Sequence, residues 1–266
     1  MPDLPGQRRE GGIAIIGGTG GLPLDLTGVS PEIVSTPWGD AAIHVVKLAG
    51  RTIDVLLRHG LDHATAPHRV NYRANIAALA LRGVEWIIAL NACGGLAEHI
   101  RPGDAVVVDQ FLDFTKQRVQ TLFDEHPSPV VHVDVTYPYC SSIRRWLRDG
   151  CASAGVPFHS SGTYVGVDGP RYESAAEVRM FAQLGGDVIG MTGLPEVVLA
   201  REVGICYACL SIVANNAAGL KRDETIRHED VAALMAAAHS GLRPAFEHAL
   251  MRLSESPPCP YCPRTP

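Results

Sequence analysis

Polar side chains follow the most apolar segment of the sequence. Ile205 to Val213 is a nearly continuous apolar run of strand length, which is typical of a strand buried on both faces. Asn215 and Asn216 come just past its end, and open α/β sheets bind ligands outside the carboxyl ends of their strands. Met191 and Thr192 lie in a small-residue turn before the preceding predicted helix. The pattern predicts a pocket supplied with amide and hydroxyl groups, although an ordinary turn would also accommodate the two asparagines.

A glycine-rich turn, Gly17 to Gly21, follows the first predicted strand, Ile13 to Ile16. Glycines in this position let backbone N–H groups converge on an anion, and Thr19 adds a hydroxyl donor. A dinucleotide fingerprint fits poorly, because the third glycine position counted from Gly18 is occupied by Pro23 and no acidic residue ends a clear second strand. We therefore favour a phosphate-binding turn.

A second strand, Thr52 to Leu57, ends at Arg58 and His59. An arginine at a strand terminus can bind phosphate bidentately. His63 and His68 follow, but no paired carboxylate accompanies them and the three histidines do not share helical i, i+4 spacing. We therefore predict no metal site.

Two further predicted strands end in candidate site residues. Glu85 to Leu90 ends in the small-residue turn Asn91 to Gly95, and Gly162 to Val167 ends in a segment that contains Tyr172 and Glu173. Glu173 would also suit the first turn of a helix, where an acid favours the dipole. A long loop is predicted at Phe111–Pro129, and loops of that length are usually functional. Helices are predicted at Asn71–Arg82, Pro138–Ala154, Ser174–Leu184, from about Pro195 to Gly204, and His228–Glu247.

Composition narrows the class of protein. The chain of 266 residues is 46% hydrophobic and 19% charged, with a net charge of −5, so a large core is expected and a basic surface for nucleic acid is not. No secretory signal or membrane span is recognisable, and we expect a cytoplasmic protein with reduced cysteines. We divide the chain into a flexible leader (1–10), one domain (11–253) and a Pro/Cys-rich tail (254–266).

The set of strand-ending turns, in this order, resembles the trimeric purine nucleoside phosphorylase and methylthioadenosine phosphorylase family. The match covers roughly Ile13 to His239, through IIGGTG, RHG-x-x-H, VNY-x-ANI-x-AL, ACG-x-L, PGD-x-VV-DQF, GPRY and PEVVLA-x-E-x-GICYA. The resemblance implies a single α/β domain with a central mixed sheet that forms a distorted barrel flanked by helices. It also implies a homotrimer that phosphorolyses purine nucleosides, with phosphate as co-substrate and no metal or organic cofactor.

The resemblance also implies roles for individual residues. Phosphate would be bound by Thr19, Arg58, His59, Asn91, the backbone of Ala92, and Thr192. Met191 would lie under the ribose, Tyr172 would face the purine, and His132 would be lent across a subunit interface to the ribose site. Thr192 and Asn215 would be the catalytic residues. Asn91 stands where the methylthioadenosine branch often has threonine.

Two departures from the adenine-specific members concern the base. Asn215 and Ala217 stand where those members have aspartates, and Glu173 occupies the position of a glutamate in 6-oxopurine enzymes. An amide can donate to a purine O6 and accept from a protonated N7, whereas a carboxylate repels O6. We therefore predict cleavage of 6-oxopurine nucleosides, inosine and guanosine.

Three alternatives remain open. The first is a phosphorylase of methylthioinosine, which would use the same base site, or of methylthioadenosine. His228 resembles a histidine that faces the 5′-hydroxyl in inosine-cleaving enzymes, although an exposed helix N-terminal histidine is the alternative. A hydrolytic nucleosidase would not need a phosphate site. A purine-binding or redox module would depend on Cys259 and Cys262 in the tail.

Overall fold

The computed structural model describes residues 11–18, 22, 24–124, 130–221, 226–253 and 259. Its strands are β1 (Gly12–Gly17), β2 (Glu32–Thr36), β3 (Gly39–Leu48), β4 (Arg51–Leu57), β5 (Val84–Gly95), β6 (Ala105–Val107), β7 (Gln110–Asp113), β8 (Phe158–His159), β9 (Thr163–Gly166), β10 (Val188–Gly190) and β11 (Cys206–Asn216). Its helices are α1 (Tyr72–Leu81), α2 (Ser141–Ala154), α3 (Ala175–Gln183), α4 (Glu196–Glu202) and α5 (His228–Leu253), with a short 3-10 helix at Pro67–Arg69. None of the helices in this part of the chain has the length and apolarity needed to cross a bilayer.

Strand β5 is the centre of a mixed sheet. The main path of paired strands is β2-β3-β4-β1-β5-β10-β9-β7, and β11 adds a branch that continues through β6 to β8. Strand β5 is parallel to β1 and β11 and antiparallel to β10. The predicted single α/β domain with a central mixed sheet and flanking helices is confirmed, and among the described strands the sheet forks at β5.

Apolar residues cover both faces of the sheet. Along β11, Tyr207 and Cys209 belong to one core cluster, which includes residues of α1 and α4. Ala208 and Leu210 belong to a second cluster, which includes residues of α2 and α5. A strand buried on both faces needs an unbroken apolar run, which explains the run seen in the sequence.

Two strands extend further than the sequence predicts. The segment Asn91–Gly95 was expected to be a turn, and Asn215 and Asn216 were expected to follow their strand, but these residues are the last ones of β5 and β11. The two strands pair along this whole length, from Trp86 with Cys206 to Gly95 with Asn216. Each strand supplies the other's backbone hydrogen bonds, so polar and small residues remain extended there.

Other boundaries also differ from the prediction. The predicted loop at Phe111–Pro129 begins inside β7, and residues 125–129 lie outside the described residues. Helix α2 begins at Ser141 rather than Pro138, and α5 continues to Leu253. Strands β2, β8 and β10 were not predicted, because two to five residues are too few to show a clear period.

The two termini were predicted to be separate from the domain. The leader, 1–10, lies outside the described residues, and in the tail only Cys259 is described. The Cys259 side chain is buried, with its Sγ atom 3.5 Å from the Ser141 hydroxyl.

Candidate active site

A cavity of about 340 Å³ lies beside the carboxyl ends of β5, β10 and β11. Its volume falls in the range of small-molecule sites. Eight of the predicted site residues line it, from segments that are far apart in the sequence. They are His59, Ala92, Tyr172, Glu173, Met191, Thr192, Asn215 and His228.

Amide and carboxyl groups form one side of the cavity. Asn215 packs over Gly94 of the neighbouring strand, and its Nδ2 atom donates to the carbonyl oxygen of Asn216 at 2.6 Å. One N–H of the amide and its Oδ1 atom therefore remain for a ligand. Burial raises the pKa of Glu173, despite a backbone hydrogen bond that favours the carboxylate. Tyr172 beside it is 36% exposed, so its ring is accessible to a ligand.

The turn from Gly190 to Gly193 forms the floor of the cavity. The backbone N–H groups of Thr192 and Gly193 both donate to the Tyr164 hydroxyl at 3.3 Å. A Cβ atom on Gly190 would lie 2.3 Å from that hydroxyl, so the turn requires glycine there. These backbone donors face the core, whereas the side chains of Met191 and Thr192 line the cavity.

Three histidines, His59, His63 and His228, also line the cavity. The His59 and His63 ring centroids lie 4.3 Å apart, and His228 stacks on His63 at 5.7 Å. The Nδ1 atom of His59 lies 2.7 Å from the Thr65 carbonyl oxygen, so it carries the proton and Nε2 is an acceptor while the ring is neutral. Burial lowers the pKa of His59 to about 4, and burial also lowers that of His63. Both rings are therefore neutral at pH 7.

Arg58 lies behind the cavity and is not among its lining residues. Its Nε and Nη2 atoms donate to the two Glu196 carboxylate oxygens at 2.7 and 2.8 Å, and Nη1 donates to the Leu90 carbonyl. Both side chains are fully buried, and the Tyr207 hydroxyl also donates to Glu196 at 2.7 Å. Although burial opposes its charge, the Glu196 carboxylate raises the pKa of Arg58. Glu196 therefore occupies one edge of the guanidinium, and the bidentate binding of phosphate by Arg58 stays a prediction that depends on its other N–H groups.

Arg58 nevertheless keeps free donors close to the glycine-rich turn. A guanidinium has five N–H groups, and Glu196 and Leu90 account for three of them. A Cβ atom on Gly18 would lie 2.9 Å from Nη1. The absence of a side chain on Gly18 therefore leaves space directly beside that nitrogen.

Asn91 is also buried next to the cavity. The Ser211 hydroxyl donates to its Oδ1 atom at 2.6 Å, across the paired strands β5 and β11. Its Nδ2 atom has no oxygen or nitrogen acceptor among the described residues, although Asn91 is only 1% exposed, and the one group that interacts with the amide is the weakly accepting Cys209 thiol. A buried amide without an acceptor is costly, so a ligand that supplies one would be bound favourably.

Thr19 and His132 complete the account of the predicted site residues. Thr19 lies outside the described residues. His132 is exposed and does not line the cavity of this single chain. Within the described part of the chain, no group of three or more His, Cys, Asp or Glu residues is arranged to hold a metal ion.

Comparison with known proteins identifies the family. The model of the phosphorylase superfamily matches residues 12–243. The chain belongs to the phosphorylase superfamily. It is therefore a member of an enzyme family, as the motifs in its sequence indicated.

Individual relatives cover most of the chain. A 6-oxopurine nucleoside phosphorylase of Pyrococcus furiosus is 45% identical over 228 residues, which are 84% of this chain and 86% of the relative. A probable S-methyl-5′-thioinosine phosphorylase of Methanothermobacter thermautotrophicus is 45% identical over 251 residues, covering 93% and 86%. Among solved structures, methylthioadenosine phosphorylase from Schistosoma mansoni in complex with adenine superposes with a TM-score of 0.87 at 29% identity, covering 93% of both chains.

Sequence reasoning missed several residues of this phosphorylase-superfamily site. His63 was considered only as a metal ligand, although its spacing from His59 could have placed it at the cavity. Glu196 was assigned to a polar helix face, and Ser211 was hidden inside an apolar run. Glu196 pairs with Arg58, 138 positions away, and Ser211 donates to Asn91, 120 positions away. No local pattern reveals contacts at such distances in the sequence.

Proposed function

We propose that this chain catalyses phosphorolysis of 6-oxopurine nucleosides, inosine and guanosine, to the free purine and pentose 1-phosphate. The observation that carries the proposal is the placement of Asn215 and Glu173 in the same cavity as Thr192 and His59. A base site and an anion site on one cavity are what this reaction requires. The relatives named 6-oxopurine nucleoside phosphorylases support the same substrate class.

Asn215 and Glu173 are suited to a purine that carries an oxo group at C6. The free N–H of Asn215 donates to O6, and its Oδ1 accepts from a protonated N7. The Glu173 carboxylate accepts from N1–H and, in guanine, from the 2-amino group. Adenine offers no N1–H and presents an amine where O6 would be, so it leaves these groups mismatched. Tyr172 would cover the face of the purine ring.

Phosphate is the nucleophile, so the other half of the site must hold an anion beside the anomeric carbon. Thr192 supplies a hydroxyl from the cavity floor, and Ala92 lines the cavity near it. The free amide N–H of Asn91, the remaining donors of Arg58 and the hydroxyl of Thr19 complete the proposed set. Neutral His59 presents an Nε2 acceptor, which suits a protonated phosphate oxygen or a sugar hydroxyl.

Catalysis then follows from positioning and charge. As the glycosidic bond lengthens, the sugar becomes oxocarbenium-like, and the phosphate anion stabilises it electrostatically. The C1′–N9 bond breaks as a phosphate oxygen bonds to C1′, and the proton that the monohydrogen phosphate loses passes through water to purine N7. Asn215 stabilises the departing purine by accepting from that N7–H through Oδ1. The ribose would rest on Met191, with His228 near its 5′ end. None of these steps requires a metal or an organic cofactor.

An S-methyl-5′-thioinosine phosphorylase is the second candidate function. Val231 lines the cavity close in sequence to His228, so the proposed 5′ region offers an apolar contact as well as an imidazole. A relative that is 45% identical bears that name. The base chemistry would be unchanged, and only the 5′ substituent would differ.

The proposal extends to assembly and location. We expect a cytoplasmic purine-salvage enzyme that forms a homotrimer, in which His132 of each subunit completes the ribose site of a neighbour. Val130 and Val131, beside His132, are 78% and 40% exposed, so this segment offers an apolar surface to a second copy. Sedimentation that found a fully active monomer would remove this part of the proposal.

A substrate panel tests the function. Inosine, guanosine, adenosine, methylthioadenosine and methylthioinosine are each incubated with and without phosphate, and free base and pentose 1-phosphate are measured. We expect phosphate-dependent cleavage of the 6-oxopurine nucleosides and little of the adenine nucleosides. Phosphate-independent cleavage would indicate a nucleosidase, and preference for adenosine would refute the assigned base site. The inosine to methylthioinosine ratio separates the two candidates.

A further inference from the structure

Arg118 lies in the segment after β7 and is buried behind the cavity rather than lining it. Its side chain is only 5% exposed, and its guanidinium carbon lies 4.9 Å from the centroid of the Tyr72 ring. A buried arginine costs free energy unless most of its donors are paired. The partners that satisfy it therefore indicate what it holds in place.

Those partners belong to two different parts of the proposed site. Nη2 donates to the carbonyl oxygens of Asp168 at 2.9 Å and Met191 at 2.6 Å, with the Val167 carbonyl at 3.3 Å. Nη1 donates to the carbonyl of Leu194, and Nε lies 3.5 Å from the Asp168 carboxylate. Asp168 leads into the base-binding segment, whereas Met191 and Leu194 flank Thr192. The planar Arg118 guanidinium therefore hydrogen-bonds to both the base-binding segment and the turn that contains Thr192.

The two segments also touch each other directly. Gly169 has a φ of +66°, and a Cβ atom there would lie 2.4 Å from the Met191 sulfur. The separation of the two segments therefore determines how far the purine lies from the groups proposed to bind phosphate and ribose. An error of about 1 Å in such a separation can reduce a rate about 10²-fold.

We propose that Arg118 is a positioning residue that sets the distance between the base-binding segment and the Met191–Leu194 turn. This inference rests on the proposed function, because it assigns those segments to base, ribose and phosphate. Arg118 contacts no substrate in this arrangement. Its loss should leave each half able to bind its own ligand while misaligning the two, so kcat should fall more than either KM rises.

The test compares Arg118→Met and Arg118→Lys with Arg73→Met. Arg73 is a matched control: it ion-pairs with Asp124 at 2.8 Å and lies 5.8 Å from the Trp38 ring centroid, so it anchors the same segment without reaching the site. For each folded protein, kcat and the KM values for inosine and phosphate are measured, with and without millimolar guanidinium ion. We expect Arg118→Met to lower kcat about 10²-fold and guanidinium to restore part of it. Arg118→Lys should be intermediate, and Arg73→Met should resemble the parent.

The outcomes separate this inference from the proposed function. A parent without phosphate-dependent cleavage refutes the function itself. With an active parent, an Arg118→Met protein whose kcat equals that of Arg73→Met overturns the positioning role. A loss that guanidinium does not restore, accompanied by an equal loss of binding for base and phosphate alone, assigns Arg118 a purely structural role and also overturns it. If Arg118→Met does not fold, Arg118→Lys is judged by the same kcat and KM criteria.

Discussion

The buried ion pair between Arg58 and Glu196 yields the sharpest quantitative prediction. Glu196→Gln keeps the side-chain shape but leaves the Arg58 guanidinium buried without a counter-charge. Removing one partner of a buried pair costs about 3–5 kcal/mol. Because the glutamine oxygen still accepts one hydrogen bond, we expect a loss of about 3 kcal/mol in the free energy of unfolding. At about 2–4 °C per kcal/mol, the Tm should fall by roughly 6–12 °C.

The same substitution should weaken phosphate binding. Glu196 fixes the guanidinium plane through two hydrogen bonds, and the donors left for phosphate depend on that plane. Losing one charged hydrogen bond to the anion is worth about 1.5–3 kcal/mol, so the phosphate KM should rise about tenfold or more. The KM for inosine should change much less, because the hydrogen bonds of Arg58 and Glu196 do not reach the base-binding residues Tyr172, Glu173 and Asn215.

Asp54→Asn is the matched control. Asp54 pairs with Arg82 in the same forked geometry, at 2.7 and 2.9 Å, but far from the cavity and with 15% of the Arg82 side chain exposed. It should lower Tm less and leave phosphate KM unchanged. Thermal unfolding and initial-rate kinetics on both variants provide the measurement. An unchanged Tm in Glu196→Gln, or an equal rise of phosphate KM in Asp54→Asn, would refute the reasoning.

Three further predictions concern the site. Ser211→Ala should raise the phosphate KM severalfold with little change in Tm, because it releases the Asn91 amide to rotate; an unchanged phosphate KM contradicts this. Burial lowers the pKa of His59 to about 4 in the folded protein. Between about pH 6.5 and pH 4 the His59 ring is therefore protonated only in the unfolded chain, so the folded protein should lose stability as the pH falls through this range. His59→Asn, which can still donate to the Thr65 carbonyl, should make the Tm-versus-pH curve shallower, and an identical curve would exclude His59 as a cause. Asn215→Asp should lower the ratio of kcat/KM for inosine to kcat/KM for adenosine. The change should come mainly from lost inosine cleavage, because Glu173 still favours an N1–H donor. An unchanged ratio would leave Asn215 without a role in base selection.

Local patterns predicted most of the helices and strands around the cavity, and the resemblance of several motifs to a known family supplied the fold and the roles proposed for the cavity residues. Asn71 was placed at the start of a helix, and it caps α1 by accepting from the Ala74 N–H. Ser174 and Glu177 form a capping box at the start of α3. Gly204 was predicted to end the helix that is α4, and its φ of +75° is the left-handed conformation that glycine favours at such an end. Strong caps and continuous apolar runs are signals that a single segment carries by itself.

The parts that the sequence did not predict depend on distant partners. One edge of the Arg58 guanidinium pairs with a glutamate 138 positions later. The Asn91–Gly95 segment was expected to turn, but pairing with β11 keeps it extended. Arg118 lies in a segment without periodicity, and its carbonyl partners have no sequence signature at all. Side-chain type and position at strand ends indicated candidate residues that line the cavity, whereas their hydrogen-bond partners could be known only from the structure.

The forked sheet has a consequence for how the chain is made. Strand β5 needs β11 on one side, and the two site residues Asn91 and Ser211 are 120 positions apart. At about 5–20 residues per second, synthesis of that interval takes roughly 6–24 s. During this time a long apolar strand has an unpaired edge, which is a template for pairing with other chains. The nascent chain therefore cannot complete the candidate active site until its last quarter has been synthesised. Conditions that slow elongation should increase the fraction of chains that aggregate and decrease the fraction that fold.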